Sequence, residues 1–313
     1  MFAGVFAGIT WAIETIVLGI ALAMTPFIET EQAVFLAPFV STFLHDSFSA
    51  IWMLLYNGVR GNLPKVIKAL RTKSGKFVAV AAIIGGPVGM TGYVLSVANM
   101  GASIGAVASA VFPAIGAVLA YFFLKEKMQW YRWVFLILSL LGVYGLSYSP
   151  EINITNFALG LIGTLMCAFG WGIEAVIIAK SVQDAAVTDE IALQIRQTTS
   201  AIVYGVVLLP VLKGWGFTVT LFSGTGWLIP TIAIAALFAT VSYLFYYKGI
   251  SQIGATKAMV LNVSYSAWAV VFSIVFLRNM SLLNPITITC TLVVIVFGIL
   301  SAADLSALSS KKG

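Results

Sequence analysis

A glutamate stands three residues after a tryptophan twice in this chain, in "TWAIETIV" at 10–17 and "GWGIEAVI" at 170–177, both inside runs that are otherwise apolar. On a helix of 3.6 residues per turn Trp11 and Glu14, like Trp171 and Glu174, project from neighbouring positions on one face. An indole face attracts a cation through its quadrupole and a carboxylate does so through its charge, so each pair suits a positively charged ligand. Three further ionisable side chains, His45, Asp46 and Arg196, lie deep in apolar segments. A charge at the centre of a membrane helix costs about 2.5–3.5 kcal/mol on insertion scales, so each needs a partner, a wet cavity or a function. The expectation is that all five face one cavity. With His45 neutral and the three acids ionised, Arg196 leaves two negative charges over. Such a pocket repels anions and draws in a cation. When none is bound, one or more carboxylates hold a proton, because desolvation and like charge disfavour the ionised form. Exchange of proton for cation is then a simple coupling mechanism.

Aromatic residues narrow the choice of cation. Trp11, Trp171, Tyr93, Tyr246, Tyr247, Tyr265 and Trp268 fall on segments that converge, and a quaternary ammonium, which has no N–H to donate, is recognised by a cage of rings plus a carboxylate. Bland readings stand beside these. Tyr247 and Trp268 fit core packing or an interfacial belt equally well. Arg196 serves as well by neutralising Asp46 or Glu174 to hold the protein together. His45 and Asp46 are adjacent and point about 100° apart, so one of them stands behind the other. Trp52, Trp130, Trp133, Trp215 and Trp227 read as belt residues. Cys167 and Cys290 have no CxxC companion and read as small buried hydrophobes. A single histidine supplies no zinc set, no cofactor is called for, and nothing resembles a nucleophile with its base, so the residues do not suggest an enzyme.

The elements that hold these residues follow from composition. The 313 residues are 60% hydrophobic and 9% charged, with a mean hydropathy of +1.03, far above an ordinary soluble domain. Apolar stretches of about 20 residues, each long enough for a hydrocarbon core roughly 30 Å thick, follow one another end to end. Ten fit, near 4–24, 33–57, 76–98, 101–124, 130–148, 157–180, 190–212, 226–250, 254–277 and 284–304. A lipid-facing backbone must satisfy its own hydrogen bonds, so runs of this length are helices. The fold class is an all-α membrane protein, embedded in a lipid bilayer, with no connector long enough for a soluble domain. Residues 1–24 read as structure rather than a cleaved leader, since Glu14 interrupts the apolar run.

The formal net charge of +6 does not call for nucleic acid. With the N-terminus inside, the cytoplasmic connectors take Arg60, Lys65, Lys68, Arg71, Lys73 and Lys76, then Lys125, Lys127 and Arg132, then Lys180, Lys248 and Lys257, and lastly Lys311 and Lys312, against only Lys213 and Arg278 outside. That asymmetry orients a multi-pass protein with both termini cytoplasmic, and a plasma membrane is the default site.

The chain also repeats itself about 150 to 160 residues on. Trp11 and Glu14 return as Trp171 and Glu174, "HDSFSAI" (45–51) corresponds to "RQTTSAI" (196–202), and Tyr93 to Tyr246. "GASIGAVASAVFPAIGAVLAYFFLK" (101–125) runs against "GATKAMVLNVSYSAWAVVFSIVFLR" (254–278) without a gap, aligning Phe112 with Tyr265. Five spans per copy is odd, so the second copy enters the membrane from the other side: two inverted five-helix repeats, 1–150 and 151–313, in one membrane domain. Secondary transporters are built this way, with the substrate site at the midplane between halves. Gly85, Gly86, Pro87 and Gly89 in the third span and Pro113 in the fourth are breakers of the kind that survive where backbone lines a cavity. For Gly105, Gly116 and Ala120 close helix packing suffices.

With these residues in view the chain resembles the drug/metabolite transporter superfamily, EamA-like with ten helices, and within it is most similar to the LicB-type choline permeases of bacteria. The likeness covers nearly the whole chain and is carried by "HD" at 45–46, "GPVGM" at 86–90, "VFPAIGAVLAYFFLK" at 111–125, "GWGIEAV" at 170–176, "IRQTTS" at 195–200, "YLFYYKGI" at 243–250 and "NVSYSAW" at 262–268. The resemblance implies uptake of choline, its trimethylammonium held by aromatic rings in a central cavity. Residue by residue it implies Trp11, His45, Asp46, Trp171, Glu174, Arg196, Gln197, Tyr243, Tyr246, Tyr247, Asn262, Tyr265 and Trp268 as pocket or near-pocket positions. Glu14 departs from that pattern, which has no acid in the first helix; an extra acid alters ion coupling or admits another quaternary amine. The alternative is an exporter of aromatic amino acids or hydrophobic cations on the same fold, since the repeats do not set direction.

Overall fold

In a computed structural model, residues 1–148, 154–223 and 226–304 are described, with the side chains at 102–104, 106 and 108 excepted. The expected boundary between halves at 150, together with Lys311 and Lys312, lies outside the described residues. Ten long helices appear where the apolar runs predict them: α1 (Phe2–Leu22), α2 (Glu31–Val59), α4 (Lys73–Met100), α5 (Ala102–Leu124), α6 (Trp130–Ser147), α7 (Phe157–Ser181), α8 (Asp189–Val211), α10 (Leu228–Ile253), α11 (Ala255–Val275) and α12 (Pro285–Ala302). Among the described residues nine are long and apolar enough to cross a membrane, and α5 contributes the shorter apolar stretch Ser109–Leu124. Two short helices that hydropathy did not announce, α3 (Leu63–Arg71) and α9 (Trp215–Ser223), fill connectors.

Local chemistry sets the helix ends. Thr30, Thr72, Asn156 and Asn284 each accept a hydrogen bond from a backbone N–H three residues on, closing the starts of α2, α4, α7 and α12. Gly101 and Gly254 join α4 to α5 and α10 to α11 with nearly identical left-handed conformations, φ 87° and 88°, which a side chain would resist. Several basic residues assigned to loops lie on helices instead. Lys73 and Lys76 form the first turns of α4, and Arg132 is buried on α6, where its Nε donates to the Ser301 carbonyl at 2.6 Å and ties α6 to α12.

Packing between the halves is reciprocal. α1 lies along α10 and, in the aligned positions, α7 lies along α4; α1 also meets α11 as α7 meets α5. α2 packs against α8, and α6 against α12, each pair formed by aligned helices. No helix that carries a candidate residue is therefore packed only within its own half. Small residues permit the approach: a Cβ added to Gly172 of α7 would come 3.0 Å from the backbone nitrogen of Gly116 on α5.

Three helices depart from the α pattern: α11 is interrupted at 263–264, and two others carry π-turns. Residues Ile84–Val88 of α4 and Tyr204–Leu208 of α8 form π-turns, the first around Pro87, whose missing N–H cannot continue the ladder, and the second just before Pro210. Both π-turns border the buried charges.

Candidate functional site

The buried charges meet where α1, α2, α7 and α8 converge. Glu14, His45, Asp46, Glu174 and Arg196 are all buried, each at 8% exposure or less, and they form one continuous chain of contacts. The Arg196 Nε donates to Glu174 Oε1 at 2.8 Å, while its Nη1 donates to Gln197 Oε1 at 2.7 Å and to Asp46 Oδ2 at 3.4 Å. Asp46 Oδ2 also accepts from the Ser200 hydroxyl at 2.6 Å, one turn along α8 from Arg196. The guanidinium therefore neutralises both carboxylates rather than one, and its plane lies 4.9 Å from the Tyr243 ring centre.

His45 and Asp46 resolve their rivalry by dividing directions. Asp46 turns to α8, and His45 turns to α1 while its Nδ1 stays 3.1 Å from Asp46 Oδ1. Its Nε2 faces Glu14 Oε1 at 3.5 Å, and the other Glu14 oxygen accepts from the Thr15 hydroxyl at 3.4 Å. Asp46 thus stands between Arg196 and His45, touching both.

Aromatic rings adjoin this charged chain. Trp11 meets Tyr243 edge to face at 5.0 Å between centroids and Tyr265 at 6.3 Å. Tyr243 continues to Tyr247 at 6.0 Å, and Tyr247 to Tyr246 at 6.1 Å. On the other side Trp171 stacks with Tyr93 at 6.3 Å and takes the edge of Phe112 at 5.9 Å. Trp11, Tyr93, Trp171, Tyr243 and Tyr265 keep partial exposure, whereas Tyr246 and Tyr247 are buried. Partly exposed rings thus stand beside a buried ionic cluster. Trp268 packs on Phe272, and Asn262 is buried. The structure thus assembles Trp11, Glu14, His45, Asp46, Trp171, Glu174, Arg196, Gln197, Tyr243, Tyr246 and Tyr247 around one locus, with Tyr93 and Tyr265 at its aromatic margin. Asn262 and Trp268 share α11 with Tyr265, and among the described residues neither forms a hydrogen bond or cation–ring contact with the charged residues.

Sequence reasoning missed several participants. The indole N–H of Trp171 donates to the Gly85 carbonyl at 2.9 Å, a carbonyl freed by the π-turn. A Cβ at Gly85 would overlap the Glu174 carboxylate, and one at Gly86 would overlap the Ser200 hydroxyl. The "GGP" breaker is therefore a cradle that admits Glu174 and Ser200. Ser200 was visible as the partner of Ser49 in the aligned "HDSFSAI" and "RQTTSAI", and Ser49 itself bonds Thr240 at 2.6 Å. Two tryptophans assigned to the belt do internal work: Trp52 donates to the Ala233 carbonyl at 3.1 Å and Trp215 to the Gly205 carbonyl at 2.9 Å, whereas Trp130 and Trp227 are exposed. Among the described residues no cluster of His, Cys, Asp and Glu could hold a metal ion.

Comparison with known proteins agrees with this architecture. A solved crystal structure superposes with a TM-score of 0.71 over 98% of this chain and 97% of its own; at 14% identity that likeness speaks for the fold alone. The protein named LicB from Haemophilus influenzae (strain ATCC 51907 / DSM 11121 / KW20 / Rd) is 28% identical over 214 residues, 68% of this chain and 70% of that one. Residues 1–148 match the EamA-like transporter family. With nine membrane-length apolar helices and a tenth, shorter one among the described residues, and a likeness to the EamA-like transporter family over residues 1–148, the chain is a multi-pass membrane protein.

Proposed function

We propose that the chain takes up choline or a related quaternary ammonium ion by alternating access, driven by membrane potential, a proton gradient or both. One observation carries the reading: partly exposed rings of Trp11, Trp171, Tyr243 and Tyr265 stand against a buried cluster in which acids outnumber the guanidinium. Arg196 satisfies Glu174 and Asp46, so Glu14 is the acid left over. A methylated ammonium entering between the rings supplies the missing charge without asking for an oriented acceptor. Reciprocal packing of aligned helices supports two inverted halves, 1–150 and 151–313, that rock about this locus. The basic connectors support both termini in the cytoplasm, and the likeness to a bacterial protein supports a bacterial inner membrane.

Export of aromatic amino acids on the same fold fits less well. It needs a cation for the substrate carboxylate, and Arg196 already donates to Glu174, Asp46 and Gln197. The test is uptake of labelled choline into proteoliposomes. Wild type accumulates choline, and Trp171→Ala, which removes both a cage wall and the bond to Gly85, inserts normally but transports at background level. Undiminished transport by that variant overturns the cage assignment.

A further inference from the structure

Away from the buried charges, a cavity of about 440 Å³ lies between the end of α5 and the start of α6, lined by Ala117, Val118, Tyr121, Lys127, Met128 and Trp133. Its lining is graded along the helix axis. Ala117 and Tyr121 share one face of α5, a turn apart. Ala117 is buried and floors the cavity, whereas Val118 and Tyr121 are exposed on the outer surface of the bundle. At 1.5 Å per residue that floor is about 10 Å along the axis from the helix end at Leu124. Lys127 stands beyond that end, exposed in the connector, and Trp133 lines the cavity from α6.

Charge at this end is of one sign. The adjacent acid is engaged elsewhere: Glu126 accepts with both carboxylate oxygens from the first N–H groups of α11, at 2.9 and 3.0 Å. Arg132, beside Trp133 in sequence, is likewise turned inward to the Ser301 carbonyl. Lys125 and Lys127 remain exposed. Among the described residues Tyr121, Lys127 and Trp133 have no hydrogen-bond or ion-pair partner, so a phenol, an ammonium and an indole N–H are all available to one ligand. An ordinary belt tryptophan needs none of these companions. The internal repeat does not demand them either, since α11 has Ile274 where α5 has Tyr121, and the connector at 276–284 contains no lysine.

We propose that this cavity binds one anionic glycerophospholipid, with the phosphate at Lys127, the glycerol region beside Tyr121 and Trp133, and an acyl chain over Ala117 and Val118. Charge complementarity selects the occupant. A zwitterionic headgroup brings its own cation to a cationic mouth, and free phosphate leaves the apolar floor uncovered. Under the orientation proposed above, this end of α5 lies in the cytoplasmic leaflet, where basic segments attract anionic lipid. The site also reaches inward. Lys127 adjoins Glu126, the cap of α11, so a lipid that fixes the connector steadies the start of the helix that carries Tyr265.

Native mass spectrometry of the purified full chain in detergent, titrated with dioleoyl phosphatidylglycerol or dioleoyl phosphatidylethanolamine, counts bound lipid directly. Wild type is expected to take up one phosphatidylglycerol in preference to phosphatidylethanolamine. Lys127→Gln should weaken that binding about fivefold, the factor equivalent to the roughly 1 kcal/mol that a basic residue contributes near an anionic membrane. Lys68→Gln, which removes the same charge from α3, should leave it unchanged. Both lysines are exposed, so neither change touches the core. Equal binding of the two lipids by wild type, or equal losses in the two variants, overturns the site. Displacement of phosphatidylglycerol by an equal concentration of inorganic phosphate would show that charge alone is recognised, and overturns the lipid assignment.

Discussion

At the scale of single residues, the site depends on Arg196 more than on any other side chain. One guanidinium holds Glu174 from α7, Asp46 from α2 and Gln197 of its own helix, and it lies over Tyr243 of α10. Removing it leaves two buried carboxylates without a counter-charge, and breaking such a pair typically costs about 3–5 kcal/mol. Arg196→Ala is therefore expected to lower the thermal unfolding midpoint sharply in detergent. Arg196→Lys should recover only part of the loss, because an ammonium cannot make the same forked contacts. Equal midpoints for wild type and Arg196→Ala would mean that the acids are paired by something else. A smaller change probes the cradle. Gly85→Ala places a methyl where the Glu174 carboxylate sits, so choline transport should fall while Gly216→Ala, which meets nothing within 4 Å, leaves it unchanged. Much of this locus was legible in the sequence, because a buried charge in an apolar run announces itself by cost alone. Which acid pairs with which base was not. Arg196 could have neutralised Asp46 or Glu174, and only the convergence of α2, α7 and α8 shows that it does both. Ser200 and the Gly85 carbonyl carry no such cost signal, so composition and spacing passed over them.

At the scale of elements, Pro87 and the glycines around it do more than bend α4. The π-turn they impose releases the Gly85 carbonyl, which takes the Trp171 N–H, and clears the space that Glu174 occupies. Breakers were readable as breakers, but the turn type depends on what packs against them, which no local pattern records. The same limit hid α3 and α9, too short to show in a hydropathy window, and the inward bond of Trp52, whose register against α10 is a long-range matter. One end of the bundle is fastened by elements distant in sequence. Tyr56 donates to Glu190 at 2.8 Å, Arg60 donates to the Tyr56 hydroxyl at 2.9 Å, and Asn62 donates to Glu190 at 3.3 Å, tying α2 and the start of α3 to the start of α8. Nearby, Glu126 beyond α5 accepts from the first N–H groups of α11, Ala255 at 2.9 Å and Thr256 at 3.0 Å. Negative charge at a helix start, with two bonds to otherwise unpaired donors, is worth about 1–2 kcal/mol. Glu126→Ala should destabilise the folded chain by that order, seen as a modest drop in unfolding midpoint, with Glu126→Gln intermediate. An unchanged midpoint would show that water replaces the cap at no cost.

At the scale of the whole molecule, the ten long helices among the described residues followed from apolar length, whereas which helix packs on which was not read from the sequence. The reciprocal packing of α1 with α10 and α7 with α4 is the three-dimensional form of the internal likeness between the halves. It also explains why the charges and rings collect at one place: helices from both halves must meet along their shared faces, and those faces carry the polar residues that lipid excludes. On the function proposed above, this meeting place recognises positive charge on a methylated nitrogen. The most direct measurement of this is a thermal-shift titration of the purified chain with choline against 3,3-dimethyl-1-butanol, the same shape with carbon in place of nitrogen. A ligand that binds only the folded form raises its apparent stability. Choline is predicted to raise the unfolding midpoint in a saturable way and the neutral alcohol to leave it unmoved; equal shifts from both, or a shift from tryptophan with none from choline, would contradict the account.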